Sequence, residues 1–483
     1  MRINESQSSS NPATENQLKT MRSDIVLSGN CTNPWRPADS LTVELPIGLA
    51  KARRRRWRGD GAFASRLSNF CDYQLMSRLL RFLTPLVAGC AVTLLQVVMA
   101  VALLAPEKSI TERYAALVQH DSYWFMNIID RGYQTIIPPI DHKVMEVSNV
   151  AFFPAYPAIA ALLRNAFNIS TGTALLITAQ LAAWGFWTYF FLFCRRWKVA
   201  RSLQICGTLL ILANPAAFFL VAAYSESLFL MALLGFIYWS TAEGRAARVL
   251  AAMHGMVMSA TRIVGIVCAA FPLVRSAFQT GWNGLLKPRK WFRDNRAAVG
   301  LTFAAACGGI AFFVLCQLRW GHWDLYMLTQ AAGWGIVPDY FAVFRPESYR
   351  WIVPALNDPT EVSQLSMTLG AVLLVAIAVC ELIPAIRRRA GLPVRAGIYF
   401  CAAMIYYLSV SGVACVEMES MLRYEFSAYA LIVLALLNFL RQFRTPPVWV
   451  RALGTAAVAL VGAAGLCVQG WYVWNFTRGN WVA

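Results

Sequence analysis

Charge is scarce in this chain: Asp, Glu, Lys and Arg together make up 14% of 483 residues, against 58% apolar. A soluble chain of that length needs far more polar surface to cover its core, so soluble multi-domain architectures are excluded. Histidine occurs only at 120, 142, 254 and 322, too dispersed for a zinc site, and no His-Glu-x-x-His is present. The twelve cysteines form no Cys-x-x-Cys pair and mostly fall inside apolar runs. They read as small membrane-buried residues, neither a disulfide framework nor a metal site. P-loop, Gly-x-Ser-x-Gly and Rossmann fingerprints are missing, which removes the usual signs of nucleotide-driven transport and serine hydrolysis. No metal and no cofactor is expected.

What is abundant is apolar sequence in long blocks. Stretches 82–105, 171–194, 203–223, 297–318, 366–386, 396–415 and 452–474 run through apolar residues. Each is about 20 residues long, enough to cross a hydrocarbon core of roughly 30 Å. The expected fold is all-α: a polytopic transmembrane helix bundle of about 11 spans, with a short interfacial helix in the first outer loop. Residues 1–75 are polar and basic and lack an apolar signal-peptide core, so they read as a disordered cytoplasmic tail. Residues 76–483 form the membrane domain. The formal charge of +18 suits a lipid bilayer with anionic headgroups, and nucleic acid is not an expected partner.

Charge then sets the topology. The basic run at 51–58 acts as an inside anchor, so the first span exits to the outer face. The apolar segment 152–163 covers only ~18 Å at helical rise, too short to cross. It is read as interfacial or re-entrant, and 171–194 returns the chain inward. Stretch 249–274 is expected to be a hairpin of two short helices with Arg262 at its apex. That choice keeps Lys287, Arg289, Lys290, Arg293 and Arg296 inside, with Arg245, Arg248, Arg395, Arg441, Arg444 and Arg451. The acids gather on the opposite face, where two long loops, 106–170 and 319–365, also lie. Function is expected there.

Four constellations point to that face. Asp121 stands among Tyr123, Trp124 and Phe125, with Asp130-Arg131-Gly132-Tyr133 following. An acid partly desolvated by aromatics gains basicity suited to a general base, although a solvated loop Asp with interfacial aromatics fits the spacing as well. Asn214-Pro215 breaks an apolar run and leads to Tyr224-Ser225-Glu226-Ser227. Glu226 is either a site acid or a helix N-terminal acid facing the dipole. Arg262, following Thr261, sits at membrane depth, where an arginine is costly and implies an acid or phosphate partner. Arg423-Tyr424, after Glu417 and Glu419, offers a second cation for an anionic headgroup or for a nearby glutamate.

Taken in order, these segments resemble the PIG-V-type GPI mannosyltransferases and their bacterial relatives, within the GT-C glycosyltransferases. The resemblance covers most of 80–440. It rests on Asp121 with its aromatics, Arg131-Gly132-Tyr133, Phe152-Phe153-Pro154-Ala155-Tyr156-Pro157 and Asn214-Pro215. It continues through Tyr224-Ser225-Glu226-Ser227-Leu228-Phe229, Ala260-Thr261-Arg262 and Arg423-Tyr424. His120 departs from the family's usual Trp before the aspartate, and Ile263-Val264-Gly265 replaces a more polar stretch.

The resemblance implies a polyprenyl-phosphate sugar donor, with mannose the expected sugar, and a glycan, lipid or protein hydroxyl acceptor. It makes Asp121 the catalytic base, with inversion at the anomeric carbon. Arg262 and Arg423 would stabilise the leaving phosphate, and Glu226 would hold sugar hydroxyls or orient Arg262. Tyr156, Tyr224 and Tyr424 join the substrate-binding set. The implied location is a bacterial inner membrane with a periplasmic site and cytoplasmic N-terminus. A different sugar, or a transporter or flippase of a lipid-linked sugar, is the rival reading; the latter is disfavoured because no internal repeat is evident.

Overall fold

The computed structural model describes residues 83–103, 109–136, 148–351, 359–383, 390–443 and 447–482, all within one unit, Phe70–Ala483. The whole of the expected tail at 1–75, including the basic run at 51–58, and Arg444 lie outside the described residues. Every regular element among them is helical. In chain order these are α1 (Leu83–Ala102), α2 (Ile110–Ala115), α3 (Asp121–Arg131), α4 (Ala155–Phe167) and α5 (Thr171–Arg196). There follow α6 (Arg201–Leu212), α7 (Glu226–Ser240), α8 (Arg245–Thr261), α9 (Val264–Cys268) and α10 (Phe271–Thr280). After two short helices, Trp282–Leu285 and Pro288–Asp294, come α11 (Arg296–Trp320), α12 (Leu325–Trp334), α13 (Pro359–Leu382), α14 (Leu392–Val413), α15 (Met421–Leu440) and α16 (Val448–Phe476).

Seven of these helices, α1, α5, α11, α13, α14, α15 and α16, are long and apolar enough to cross a membrane, which makes the chain an integral membrane protein. Their caps follow ordinary rules. Ser170 accepts from the Thr173 amide at the start of α5, and Arg195 and Arg196 meet the dipole at its end. In α15, 83% of the apolar window is buried inside the protein, against 11% in α13 and α16. Helix α15 is therefore central, as is the shorter α7, of whose 15 residues 12 are buried, while α13 and α16 leave most of their apolar surface uncovered by the described residues.

The shorter elements depart from plain spans in ways the residues explain. Stretch 203–223 is not one helix: α6 stops at Leu212 and a 3-10 turn, Pro215–Leu220, follows. Proline removes a donor and frees carbonyls. The Asn214 side chain accepts from the Ala216 amide, Gln469 donates to the Leu212 and Asn214 carbonyls, and Gln96 donates to that of Ala217. Helices α16 and α1 thus satisfy what Pro215 exposes. A break stands where the hairpin apex is expected, with three helices in place of two: α8 runs to Thr261, Arg262 is extended at φ −149°, and α9 and α10 follow. Close contact with α11 fixes this turn. A Cβ on Gly308 would collide with the Met256 carbonyl, while the Ser259 hydroxyl donates to the Ala305 carbonyl at 2.6 Å. Helix α4, at 13 residues, is ~20 Å long and falls short of a crossing.

The two ends of the bundle differ. At one end arginines cap helix C-termini: Arg196 donates to the Tyr238 carbonyl, Arg275 to that of Ser240 and Arg441 to that of Trp197. Arg395 corrects an expectation here. It is no loop cation but lies fully buried in the first turn of α14, paired with Glu381 at 2.6 Å. The other end collects the starts of α3, α7 and α15 and the turn between α8 and α9.

Candidate active site

Each of those four starts or turns delivers one charge. Asp121 opens α3, Glu226 opens α7, Arg262 occupies the α8–α9 turn and Arg423 lies in the first turn of α15. Arg423 Nη1 donates to Asp121 Oδ2 at 2.6 Å, closing a link across 302 positions of sequence. Its Nε lies 3.6 Å from Glu226 Oε1, and Arg262 Nη1 donates to that same oxygen at 3.0 Å. The result is one alternating chain of charge, Asp121, Arg423, Glu226, Arg262, with no net excess.

Burial makes these pairs matter. The side chains of Arg423 and Glu226 are 4% and 3% exposed, while those of Asp121 and Arg262 are each 18% exposed. Charge held out of water is tolerated only when paired, and the network supplies the pairing. It is not saturated: Glu226 Oε2 and Arg423 Nε are buried with no hydrogen-bond partner among the described residues. Aromatic rings enclose the guanidinium of Arg423, with the Tyr424 ring at 4.8 Å, Tyr224 at 5.2 Å and Phe219 at 5.7 Å. Arg423 Nη2 also donates to the Tyr424 hydroxyl at 3.0 Å.

A cavity of about 280 Å³ opens beside the exposed end of this network. Asp121, Arg423 and Tyr424 line it together with Glu419, Gln330 and Trp334. Phe152 and Trp481 also face it, and Phe152 packs on Trp334 at 5.8 Å and on Trp124 at 6.2 Å. One wall is therefore charged and another aromatic. Burial raises the Glu419 carboxyl above the usual range, and the Arg423 guanidinium only partly offsets it.

The predicted residues divide by position. Asp121, Arg423 and Tyr424 touch the cavity. Glu226 and Arg262 do not line the cavity: Glu226 sits behind Arg423, and Arg262 pairs with Glu226 and lies 5.2 Å from the Tyr424 ring. Tyr224 is buried against Arg423 in an adjoining aromatic pocket with His120, Phe219 and Phe476. Tyr156 is fully buried and its hydroxyl donates to the Leu175 carbonyl at 2.9 Å, so it belongs to the packing of α4 on α5. Asp130 stands at the far end of α3, paired with Arg164 at 2.6 Å and accepting from Thr171. In the sequence nothing marks Gln330, and Trp334 and Trp481 stand out only as aromatics near span ends.

No protein-family model matches the chain, and no curated protein matches it in sequence. The likeness to PIG-V-type enzymes therefore rests on the quoted motifs. Among solved structures the chain is similar to an archaeal oligosaccharyltransferase, AglB from Archaeoglobus fulgidus, in complex with an inhibitory peptide and a dolichol-phosphate. That similarity has a TM-score of 0.42 and 12% identity, covering 80% of this chain and 56% of the other. The chain thus spans little more than half the length of that structure.

Proposed function

We propose that the chain is an integral membrane glycosyltransferase that moves a sugar, mannose foremost, from a polyprenyl-phosphate donor to a hydroxyl acceptor. The observation that carries this reading is the meeting of a carboxylate and an arginine, Asp121 and Arg423, at the mouth of a ring-sized cavity. The motif resemblance supplies the donor class. Helices α6, α7, α8 and the α9–α10 pair would join the seven long helices as crossings, for about 11 spans in all. The acidic end then faces the periplasm or lumen and the basic end faces the cytoplasm, in keeping with the positive-inside rule.

The chemistry follows from one arginine with two uses. The donor phosphate docks on Arg423, whose fork of N–H donors suits phosphate oxygens, and draws Nη1 from Asp121. Asp121 is then free to accept the proton of the acceptor hydroxyl. The acceptor oxygen bonds to the anomeric carbon as the bond from that carbon to the phosphate oxygen breaks, inverting the centre. The electron pair leaves with the lipid phosphate, which Arg423 stabilises directly while Arg262 reinforces the field from behind. Glu226 holds both arginines in place as their shared counter-ion. Phe152 and Trp334 offer apolar faces to the ring.

The test is transfer of radiolabelled sugar from polyprenyl-phosphate mannose in membranes containing native acceptors. Wild type is compared with Asp121→Asn, the variant being checked for monodispersity. Transfer by wild type with a loss of about 10²–10⁴ in the variant is expected for removal of a general base. Equal transfer by both removes Asp121 as base. No transfer by either, while another polyprenyl-phosphate sugar succeeds, changes the sugar. Failure with every such donor, with net movement of lipid-linked sugar across the bilayer instead, favours the transporter.

A further inference from the structure

Helix α16 is poorly covered along most of its length, with 11% of its apolar window buried, yet its final turn is packed tightly. Tyr472, Val473 and Phe476 are buried, and Phe476 lies against Phe218, Phe219 and Tyr224. The helix then ends in a built turn. The Asn480 amide donates to the Asn475 carbonyl at 3.1 Å and the Gly479 amide to that of Phe476 at 3.0 Å. Gly479 adopts φ +83°, open to glycine at little cost. These paired bonds with a left-handed glycine make a Schellman stop, which reverses the chain. The reversed segment does not run free: Val482 is 1% exposed, and Trp481 lines the cavity with its ring 6.0 Å from the Arg423 guanidinium.

The same segment grips the residue before Asp121. His120 Nε2 is 3.1 Å from the Asn480 carbonyl oxygen, and its ring meets Trp481 edge-on at 5.1 Å and Phe476 at 5.6 Å. His120 has φ 51°, a strained conformation for a residue with a side chain. That kink starts α3, so Asp121 takes its place at the first helical position. His120 offers no side-chain cap to α3, leaving its ring to the strap.

We propose that residues 477–482 form a strap that is part of the site. Trp481 is a wall of the cavity, and His120 is the latch through which the strap positions Asp121. The Asn480 carbonyl accepts from the latch, the rings of Phe476 and Trp481 hold its plane, and the kink at His120 passes that geometry to the carboxylate. His120 touches no reacting atom; it is a positioning residue. Its role in catalysis rests on the glycosyltransferase reading, but its mechanical role does not.

The test uses the full chain in lipid nanodiscs, with wild type, Trp481→Ala, His120→Ala and His120→Gln. Two readouts are taken: hydrogen exchange of peptides across 121–131 and at the start of α7, and kcat and KM for sugar transfer. Trp481→Ala and His120→Ala are expected to speed exchange at the first turn of α3 by tenfold or more, leaving the start of α7 unchanged. Both should lower kcat by tenfold or more, with KM for the donor raised chiefly in Trp481→Ala. His120→Gln keeps a donor and should recover a good part of both readouts relative to His120→Ala. Unchanged exchange at α3 in Trp481→Ala, or equal impairment in His120→Ala and His120→Gln, overturns the latch. Altered exchange in a chain whose wild type transfers no sugar leaves the latch standing and removes the transferase reading.

Discussion

Two arginines in this bundle are buried beside a glutamate, and they are satisfied very differently. Arg395, at the basic end, is fully buried and spends its donors within the fold. Nε and Nη2 reach Glu381 at 2.6 and 3.2 Å, and Nη1 reaches the Ala390 carbonyl and Asn438 at 2.7 and 3.2 Å. Tyr399 adds a hydrogen bond to Glu381, and Phe439 covers the guanidinium at 5.6 Å. Arg423, at the acidic end, sits between two carboxylates, leaves its Nε without a hydrogen bond among the described residues and borders the cavity. The first is a rivet between α13, α14 and α15. The second has donor capacity to exchange, the property a phosphate site needs. Buried charge alone does not mark a site; an incompletely satisfied charge facing a cavity does.

Substitutions at the two arginines should separate those roles. The largest effect is expected from Glu381→Ala, which strands Arg395 and removes about 3–5 kcal/mol of stability. Thermal unfolding in detergent should show the loss, while transfer per folded molecule stays near wild type. Arg423→Gln should lower kcat by about 10²–10³, the usual cost of losing one preorganised donor to a developing anion, or about 2.7–4 kcal/mol. A variant that keeps its kcat would return Arg423 to the structural class with Arg395. Glu226→Gln keeps the shape but weakens the hold on both arginines. A rise in donor KM of about tenfold, or ~1.4 kcal/mol, is expected with kcat less affected.

The smallest effect concerns pH. Glu419 has a folded-state value raised chiefly by burial, so the folded protein holds that proton more tightly than the unfolded chain. Stability from this group is therefore present at low pH and lost as pH rises through the raised value. An anionic donor in the same cavity is favoured while Glu419 is neutral, so its affinity should fall over the window just above the ordinary carboxylate range. Glu419→Gln should flatten that limb in a pH titration of donor binding, and an unchanged limb would assign it elsewhere.

Much of the helical frame was legible because membrane thickness sets a length that apolar runs either meet or miss. Runs 171–194 and 297–318 met it and lie within α5 and α11. The break at Arg262 was legible because one unbroken span over 249–274 conflicts with the positive-inside pattern of the basic cluster that follows. The break at Pro215 was visible as chemistry, but its partners were not, since Gln96 and Gln469 lie far away in sequence. Arg395 followed the charge rule yet proved buried, because positive-inside counting locates a residue at an end of the bundle without saying what it touches. The residues of the charge network were legible one by one as acids and arginines on one face. Their joining was not: only the fold brings Arg423 to Asp121. Tyr156 stood in a specific-looking motif, but its hydroxyl serves a main-chain carbonyl. Trp481 carried no signal, since its place depends on the reversal at Gly479.

Polyprenyl phosphate alone, without sugar or acceptor, separates Arg423, with phosphate-binding capacity, from Arg395, which lacks it. Its effect on thermal unfolding would be compared in wild type, Arg423→Lys, Arg423→Gln and Glu381→Gln. A ligand at 100 times its Kd stabilises a folded protein by about 2.7 kcal/mol, enough to read as a shift in Tm. A full shift is expected in wild type and in Glu381→Gln, despite the lower starting Tm of the latter, with a reduced shift in Arg423→Lys and none in Arg423→Gln. A full shift in Arg423→Gln would contradict that role for Arg423.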